Sequence, residues 1–246
     1  MAVAVGEDVS HHFLNKITGD VRKIFPYKTD RLWNYLMNDL IDTRCRACRI
    51  SKEADVIFAV DVSSGLNNHD LTVSVPTILM KILAEVKLGT SDTLVSLLTF
   101  DMSTTIRLVF KDYQESTRLD LERQFAYFVQ SSDLRTNITD LIWNVKNVLF
   151  DSGTGARSSS KKVLIIVSSF QNPFTTEELL IIDELKKHKV EVFTIGFYPA
   201  DNFETMSSIA STSFHVGING DLDVLSIDKF IPILTEQLHT TACTLQ

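Results

Sequence analysis

Two hydrophobic rhythms divide the chain. Over the first 50 residues, apolar side chains recur at helical spacing. Phe13, Leu14, Ile17, Val21, Ile24 and Phe25 form one series, closed by Pro26, which cannot continue a helix. Leu32, Trp33, Leu36, Met37, Leu40 and Ile41 form a second stripe behind Asp30, whose carboxylate can accept from the first helical amides. The expectation is an N-terminal helical extension over residues 1–50. The rhythm changes after residue 51. Asp55–Asp61 and Lys162–Val167 are nearly continuous apolar runs, as strands covered on both faces must be, and Val190–Phe197 reads as a further strand. Thr93–Phe100 and Thr104–Phe110 flank a short turn. The second of these alternates, with Ile106, Leu108 and Phe110 on one face, which predicts an antiparallel edge hairpin. Phe214–Val216 is a last short strand. Helices are expected over Leu71–Val86, Ser116–Val129, Thr139–Phe150 and Ser226–His239. Thr175-x-x-Glu178 has the spacing of a capping box and opens a helix to His188, and Asp201-x-x-Glu204 opens a shorter one.

Strand alternating with helix, plus one hairpin, predicts an α/β domain over residues 51–246. Its sheet is doubly wound, six-stranded and mostly parallel, with one antiparallel edge strand. Such sheets bind ligands outside the carboxyl ends of their strands. The first strand ends there in Asp61-Val62-Ser63-Ser64-Gly65. No G-x-G-x-x-G follows it and no Walker-type GK[ST] occurs, so nucleotide binding loses its main support. There is no G-x-S-x-G elbow and no H-E-x-x-H. His11 and His12 fall in the extension, while His69, His188 and His215 are isolated and expected at or near the surface. The expectation is a protein without enzymatic activity.

Composition narrows the class. The 246 residues are 44% hydrophobic, enough for one sizeable core. Net charge is −7, which argues against a general nucleic-acid binder, and no apolar run approaches the roughly 18 residues of a membrane span. The first residues carry no basic flank and no long apolar region, so no secretory signal is visible in this chain.

Five segments in order resemble a von Willebrand factor type A domain, over residues 53–240. DVIFAVDVSSG resembles the family's opening strand, and SLLTFDMSTTIRLVF is similar to its second and third strands. Ser132–Asn137 resembles the threonine-bearing loop of integrin alpha-chain inserted domains, with Arg135 as an extra residue. VLIIVSSF resembles the fourth strand, which in the family runs into Thr-Asp-Gly. ELKKHKVEVFTIGFYPADNFETMSSIAS is similar to the family's helix–strand–helix ending. The resemblance implies a Rossmann-like fold and a metal-ion-dependent adhesion site. In that site Asp-x-Ser-x-Ser, a threonine and a second aspartate hold a magnesium ion, which prefers about six oxygens, and a partner carboxylate completes the shell. Asp61 and Ser63 match the pattern, and Thr136 matches if Arg135 is the insertion. Gly65 stands in place of the second serine, and Ser169 in place of the second aspartate. Asp133, on the threonine loop, is a candidate to replace the missing charge. The resemblance thus implies a degenerate site that takes no cofactor, or magnesium or calcium only at low affinity. Asp61 and Ser63 are then expected to bond neighbouring loop amides.

The functional expectation is an extracellular or cell-surface adhesion module that binds protein partners without metal. Metal-dependent adhesion and an intracellular scaffold are the alternatives. Asn137-Ile138-Thr139 is a glycosylation sequon beside Thr136. The cysteines are Cys45, Cys48 and Cys243. Extracellular members of the matrilin and collagen type tie the domain's ends with a disulfide, which here implies Cys243 paired with Cys45 or Cys48. The third cysteine is then free or bridges to another chain, giving a disulfide-linked oligomer. Cys45, Cys48, His239 and Cys243 also have the ligand types of a structural zinc site, which would suit a cytoplasmic protein.

Overall fold

Side-chain alternation along the two central strands divides the core between the two faces of one sheet. The computed structural model describes residues 2–4, 24–26, 53–112, 118–171, 173–197, 203–212, 215–218 and 227–239. The chain separates into two units, Met1–Arg49 with Ala242–Gln246, and Ile50–Thr241. In the first unit, β1 (Ala2–Ala4) pairs in parallel with β2 (Ile24–Pro26). Ile24 and Phe25 are therefore extended and do not end a helix. The reason was available in the sequence: the residue before a proline is pushed out of the α region, and Ile and Phe favour strands. The second expected helix, Leu32–Ile41, lies outside the described residues.

The second unit carries β3 (Ala54–Asp61), β4 (Thr93–Phe100), β5 (Thr104–Leu108), β6 (Lys161–Ser168), β7 (Val190–Gly196) and β8 (Val216–Ile218). They form one sheet in the order β5-β4-β3-β6-β7-β8. All neighbours are parallel except β4 and β5, so the hairpin forms the expected antiparallel edge, but its side chains do not share one face: Ile106 is exposed, Leu108 and Phe110 join cores on opposite faces, and the register shifts between Leu97 and Leu98. Among the helices are α1 (Val75–Glu85), α2 (Arg118–Phe125), α3 (Ile138–Phe150), α4 (Thr176–Lys187), α5 (Phe203–Ile209) and α6 (Ile227–His239). Every residue of β3 and β4 is buried, which requires cover on both faces. Val56, Phe58 and Val60 pack with Ile78, Leu79 and Ile82 of α1 and with Leu234 of α6. Ile57 and Ala59, pointing the other way, pack with Leu141 and Val145 of α3 and Ile182 of α4.

Local chemistry sets the helix ends. Both halves of the expected capping box form at α4. Thr175 Oγ1 accepts from the Glu178 amide at 3.3 Å, and Glu178 Oε2 accepts from the Thr175 amide at 2.8 Å. Helix α2 stops at Phe125, four residues before its expected end. Arg107 of β5 donates to the Tyr127 carbonyl at 2.8 Å and lies over the Phe128 ring, which holds that segment against the sheet edge.

The topology positions the site. β3 connects forward to β4 on one side and is flanked by β6 on the other, so the chain switches direction between β3 and β6. Their final residues, Asp61 and Ser168, therefore meet at the carboxyl edge where such sheets open a crevice.

Candidate functional site

Asp61 lies at the bottom of that crevice and is 1% exposed. Its Oδ1 accepts from the Ser63 amide at 2.8 Å, and its Oδ2 accepts from Ser168 Oγ at 2.6 Å. Ser63 Oγ in turn accepts from the Gly65 amide at 3.3 Å. Asp61 and Ser63 thus both bond loop amides. Burial pushes the Asp61 carboxyl above its ordinary pKa, the hydrogen bonds from Ser168 and Ser63 oppose this, and the charge of Asp101 adds to the rise.

Three loops surround this carboxylate. The Ser63–Gly65 loop is tied to the threonine loop by the Ser64 amide and hydroxyl, which donate to the Asp133 carbonyl at 2.7 and 3.0 Å. It is tied to the loop after β6 by Gln171 Nε2, which donates to the Gly65 carbonyl at 3.3 Å. Thr136, Ser168 and Ser169 line the same space as Asp61, Ser63 and Gly65, and that space is about 30 Å³, room for a group the size of water. A Cβ on Gly65 would lie 3.1 Å from Ser169 Oγ and 3.3 Å from Ser63 Oγ. Leu134, Ile138, Phe170 and Phe174 form apolar walls, and Leu134 stands 75% exposed at the rim.

Asp133 does not line the crevice. It is exposed, and its Oδ2 lies 3.5 Å from Ser131 Oγ on its own loop. Its contribution to the site is the backbone carbonyl that anchors Ser64. Asn137 caps α3, its Oδ1 accepting from the Asp140 amide at 3.0 Å, while its own amide donates to the Asp101 carbonyl at 2.7 Å. This cap fixes the loop that carries Thr136.

Residues 55–229 match the family model for the von Willebrand factor type A domain. The chain belongs to that family. No curated protein matches it. Proximal thread matrix protein 1 from the mussel byssus, in a structure described as having a zinc-occupied MIDAS motif, is 22% identical with a TM-score of 0.61. That similarity covers 97% of this chain and 58% of the byssal protein, so the present chain spans little more than half the length of that relative. A manganese-loaded TRAP protein of Plasmodium vivax gives a TM-score of 0.65 at 12% identity, over 78% of this chain and 76% of that one. The pilus adhesin SpaC of Lactobacillus rhamnosus GG gives 0.56 at 14%, over 76% and 30%. At these identities the structural likeness shows the fold.

In this type A domain, Asp61, Ser63, Thr136, Gly65 and Ser169 all reach one crevice. The donor set is poorly matched to a divalent ion. Among the described residues Asp61 is the one carboxylate lining the space, both its oxygens already accept hydrogen bonds, and the rest of the polar lining is neutral. Among the described residues no group of three His, Cys, Asp or Glu side chains is placed to hold a metal. A hard divalent cation needs more negative oxygen than one such carboxylate supplies.

Residues of the site that the sequence did not single out are Ser168 and Phe170. Phe170 stands where the family's Thr-Asp-Gly has glycine, and its backbone φ is +51°, in the left-handed region. The glycine-like geometry persists while the ring, 4% exposed, forms part of the crevice wall. A second polar cluster was also missed, at the opposite end of β3. Asp55 is fully buried there. Its carboxylate accepts from Arg157 Nε at 2.8 Å, from the Arg157 amide at 2.8 Å and from Lys162 Nζ at 2.7 Å. Burial pushes the Asp55 carboxyl up, but the bonds from Lys162, Ser160 and Arg157 outweigh it and hold the pKa below its ordinary value. His215, expected near the surface, is buried and stacks on Phe193 with ring centroids 3.9 Å apart. Cys45, Cys48 and Cys243 lie outside the described residues, as does the basic run Arg44, Arg46, Arg49 and Lys52.

Proposed function

We propose that this type A domain is a non-enzymatic protein-binding module of the extracellular or cell-surface adhesion kind, and that it recognises its partner without a divalent metal. The observation that carries the metal-free reading is that, among the described residues, Asp61 is the single carboxylate in a crevice otherwise lined by neutral groups. Two features support binding over catalysis. Among the described residues the crevice lining contains no histidine, lysine or cysteine to act as base or nucleophile, Ser63 Oγ accepts from the Gly65 amide, and Ser168 Oγ donates to Asp61. The rim presents exposed Leu134 next to polar groups, the mixture that partner surfaces use. Fold relatives named as a byssal matrix protein and a pilus adhesin point to the same kind of role. The adhesion site named in the byssal structure is occupied by zinc, so metal-dependent adhesion is the reading to beat.

The test is saturable binding of the full chain to immobilised extracellular-matrix extract. Binding that EDTA leaves unchanged is the expected result. Loss in EDTA with recovery on adding magnesium overturns the metal-free reading. Intact mass of the chain from its natural source tests the location. A glycan on Asn137 and a disulfide between Cys243 and Cys45 or Cys48 are expected. Three free thiols and an unmodified Asn137 would instead favour an intracellular scaffold, and bound zinc a structural clip.

A further inference from the structure

A metal-free adhesion crevice still has to satisfy the charge at its floor, and the geometry limits what can do so. The guest must be a cation, because Asp61 is a buried carboxylate and, among the described residues, no basic side chain lines the crevice. A single lining carboxylate calls for one positive charge; two would leave an excess in a place from which water is largely excluded. The guest's head must be small, since the space is about 30 Å³, and it must donate hydrogen bonds, since the polar lining is rich in oxygen. Gly65 keeps the gap between the Ser63 and Ser169 hydroxyls open, because a Cβ there would crowd both. The body behind the head must be apolar and slender. Leu134, Ile138, Phe170 and Phe174 line the same space, two of them aromatic, with Leu134 exposed at its edge.

We propose that the crevice is a socket for a lysine side chain of the partner protein. The ε-ammonium sits over Asp61 among the hydroxyls of Ser63, Thr136 and Ser169, and the methylene stem runs between Leu134 and the phenylalanines. A primary ammonium has three donors and a single charge, and hydroxyls can turn to accept from it. Its four-carbon stem gains from apolar walls, and aromatic faces favour a nearby cation. Arginine is disfavoured by shape: its planar guanidinium is broader than an ammonium. This inverts the family chemistry. In place of a metal on the domain that captures a carboxylate of the partner, the carboxylate belongs to the domain and the cation to the partner. The inference rests on the metal-free reading given above.

The test uses the full isotope-labelled chain in EDTA, titrated with Nα-acetyl-lysine-N-methylamide and followed by amide NMR. Saturable shifts at Ser63, Gly65, Thr136 and Ser169 are expected, with millimolar affinity, about −4 kcal/mol for a single side chain. The Nε-acetylated analogue and the arginine analogue are expected to give none. Asp61→Asn keeps the shape and the acceptor for the Ser63 amide, while its Nδ2 donates to Ser168 Oγ instead of accepting from it, and should abolish the shifts. Should that variant fail to fold, Leu134→Lys at the exposed rim places a like charge at the mouth and should weaken binding. Equal shifts from the Nε-acetylated analogue, or no saturable shift with the wild-type chain, overturn the proposal. A parallel titration with magnesium chloride separates the two ideas. Magnesium binding at the same amides ends the metal-free reading, whereas silence from both ligands ends the lysine socket alone.

Discussion

Gly65 and Ser169 are steric neighbours: a Cβ on Gly65 would come within 3.1 Å of the Ser169 hydroxyl. The two positions at which this chain departs from the family's metal pattern therefore face each other across one gap. They act as a unit, and their substitutions should be non-additive. Ser169→Asp adds the missing charge and should give measurable magnesium binding by calorimetry, at about tenfold or greater gain over wild type. Gly65→Ser alone should not, because it adds a neutral oxygen and crowds Ser63 and Ser169. The double variant is expected to bind most tightly; a double variant no better than wild type would show that the loops cannot adopt metal geometry.

His215 should make stability depend on pH. Burial, reinforced by the charge of Lys161, lowers its pKa from 6.5 to about 4. Between those values the unfolded chain takes up a proton that the folded chain refuses, so stability falls as pH drops from about 6.5 toward 4. The full loss is about 3 kcal/mol by linkage. Asp61 acts in the opposite sense, because its raised pKa makes protonation stabilising as pH falls. His215→Phe keeps the stack on Phe193 and should flatten the slope that histidine causes. Urea denaturation across that range reads the difference between the two proteins.

The Asp55 cluster should be worth far more than a surface pair. Removing the Arg157 side chain leaves a buried carboxylate with fewer partners and takes away the guanidinium's hydrogen bonds to the Ala54 and Asp92 carbonyls. Arg157→Ala should cost about 3–5 kcal/mol. Lys186→Ala, which breaks an exposed pair with Asp183, should cost about 0.5 kcal/mol or less. Equal costs in chemical denaturation would contradict this account.

Two residues share a left-handed backbone and should respond oppositely to glycine. Lys189, at φ 63°, is an exposed residue just after α4, so Lys189→Gly removes strain at no packing cost and should raise stability by about 0.5–1 kcal/mol. Phe170, at φ 51°, is buried in the crevice wall and packs edge-on to Phe174. Phe170→Gly should destabilise by about 3 kcal/mol, because lost burial exceeds relieved strain. Thermal unfolding of the pair decides both signs.

Asn137 combines a cap and a sequon, and the two roles can be separated. Asn137→Ala should cost about 1 kcal/mol from the lost α3 cap. Thr139→Ala breaks the sequon while leaving the cap, so it should remove any glycan with little effect on the stability of unglycosylated protein. Mass and unfolding measurements on both variants distinguish the roles.

Much of this protein was legible in its residues because the signals are local. Continuous apolar runs marked β3 and β6, the short turn between two apolar runs marked β4 and β5 as a hairpin, and Thr175 with Glu178 marked the start of α4. Each depends on neighbours a few positions apart. The order of Asp61, Ser63 and Thr136 along the family pattern pointed to the crevice before its geometry was known. Local periodicity also misled: helical spacing near Ile24 and Phe25 ignored the constraint that Pro26 places on the residue before it. What only the tertiary structure decided involves groups far apart in sequence. Asp55 meets Arg157 and Lys162 because β3 and β6 lie side by side, a pairing that no local pattern around Arg157 announces. Phe170 takes a glycine's backbone because the crevice wall holds its ring. Asp133 turns to its own loop, leaving Asp61 as the single carboxylate in the crevice. Such pairings depend on how strands align and how loops pack, and a one-dimensional pattern carries no distance between them.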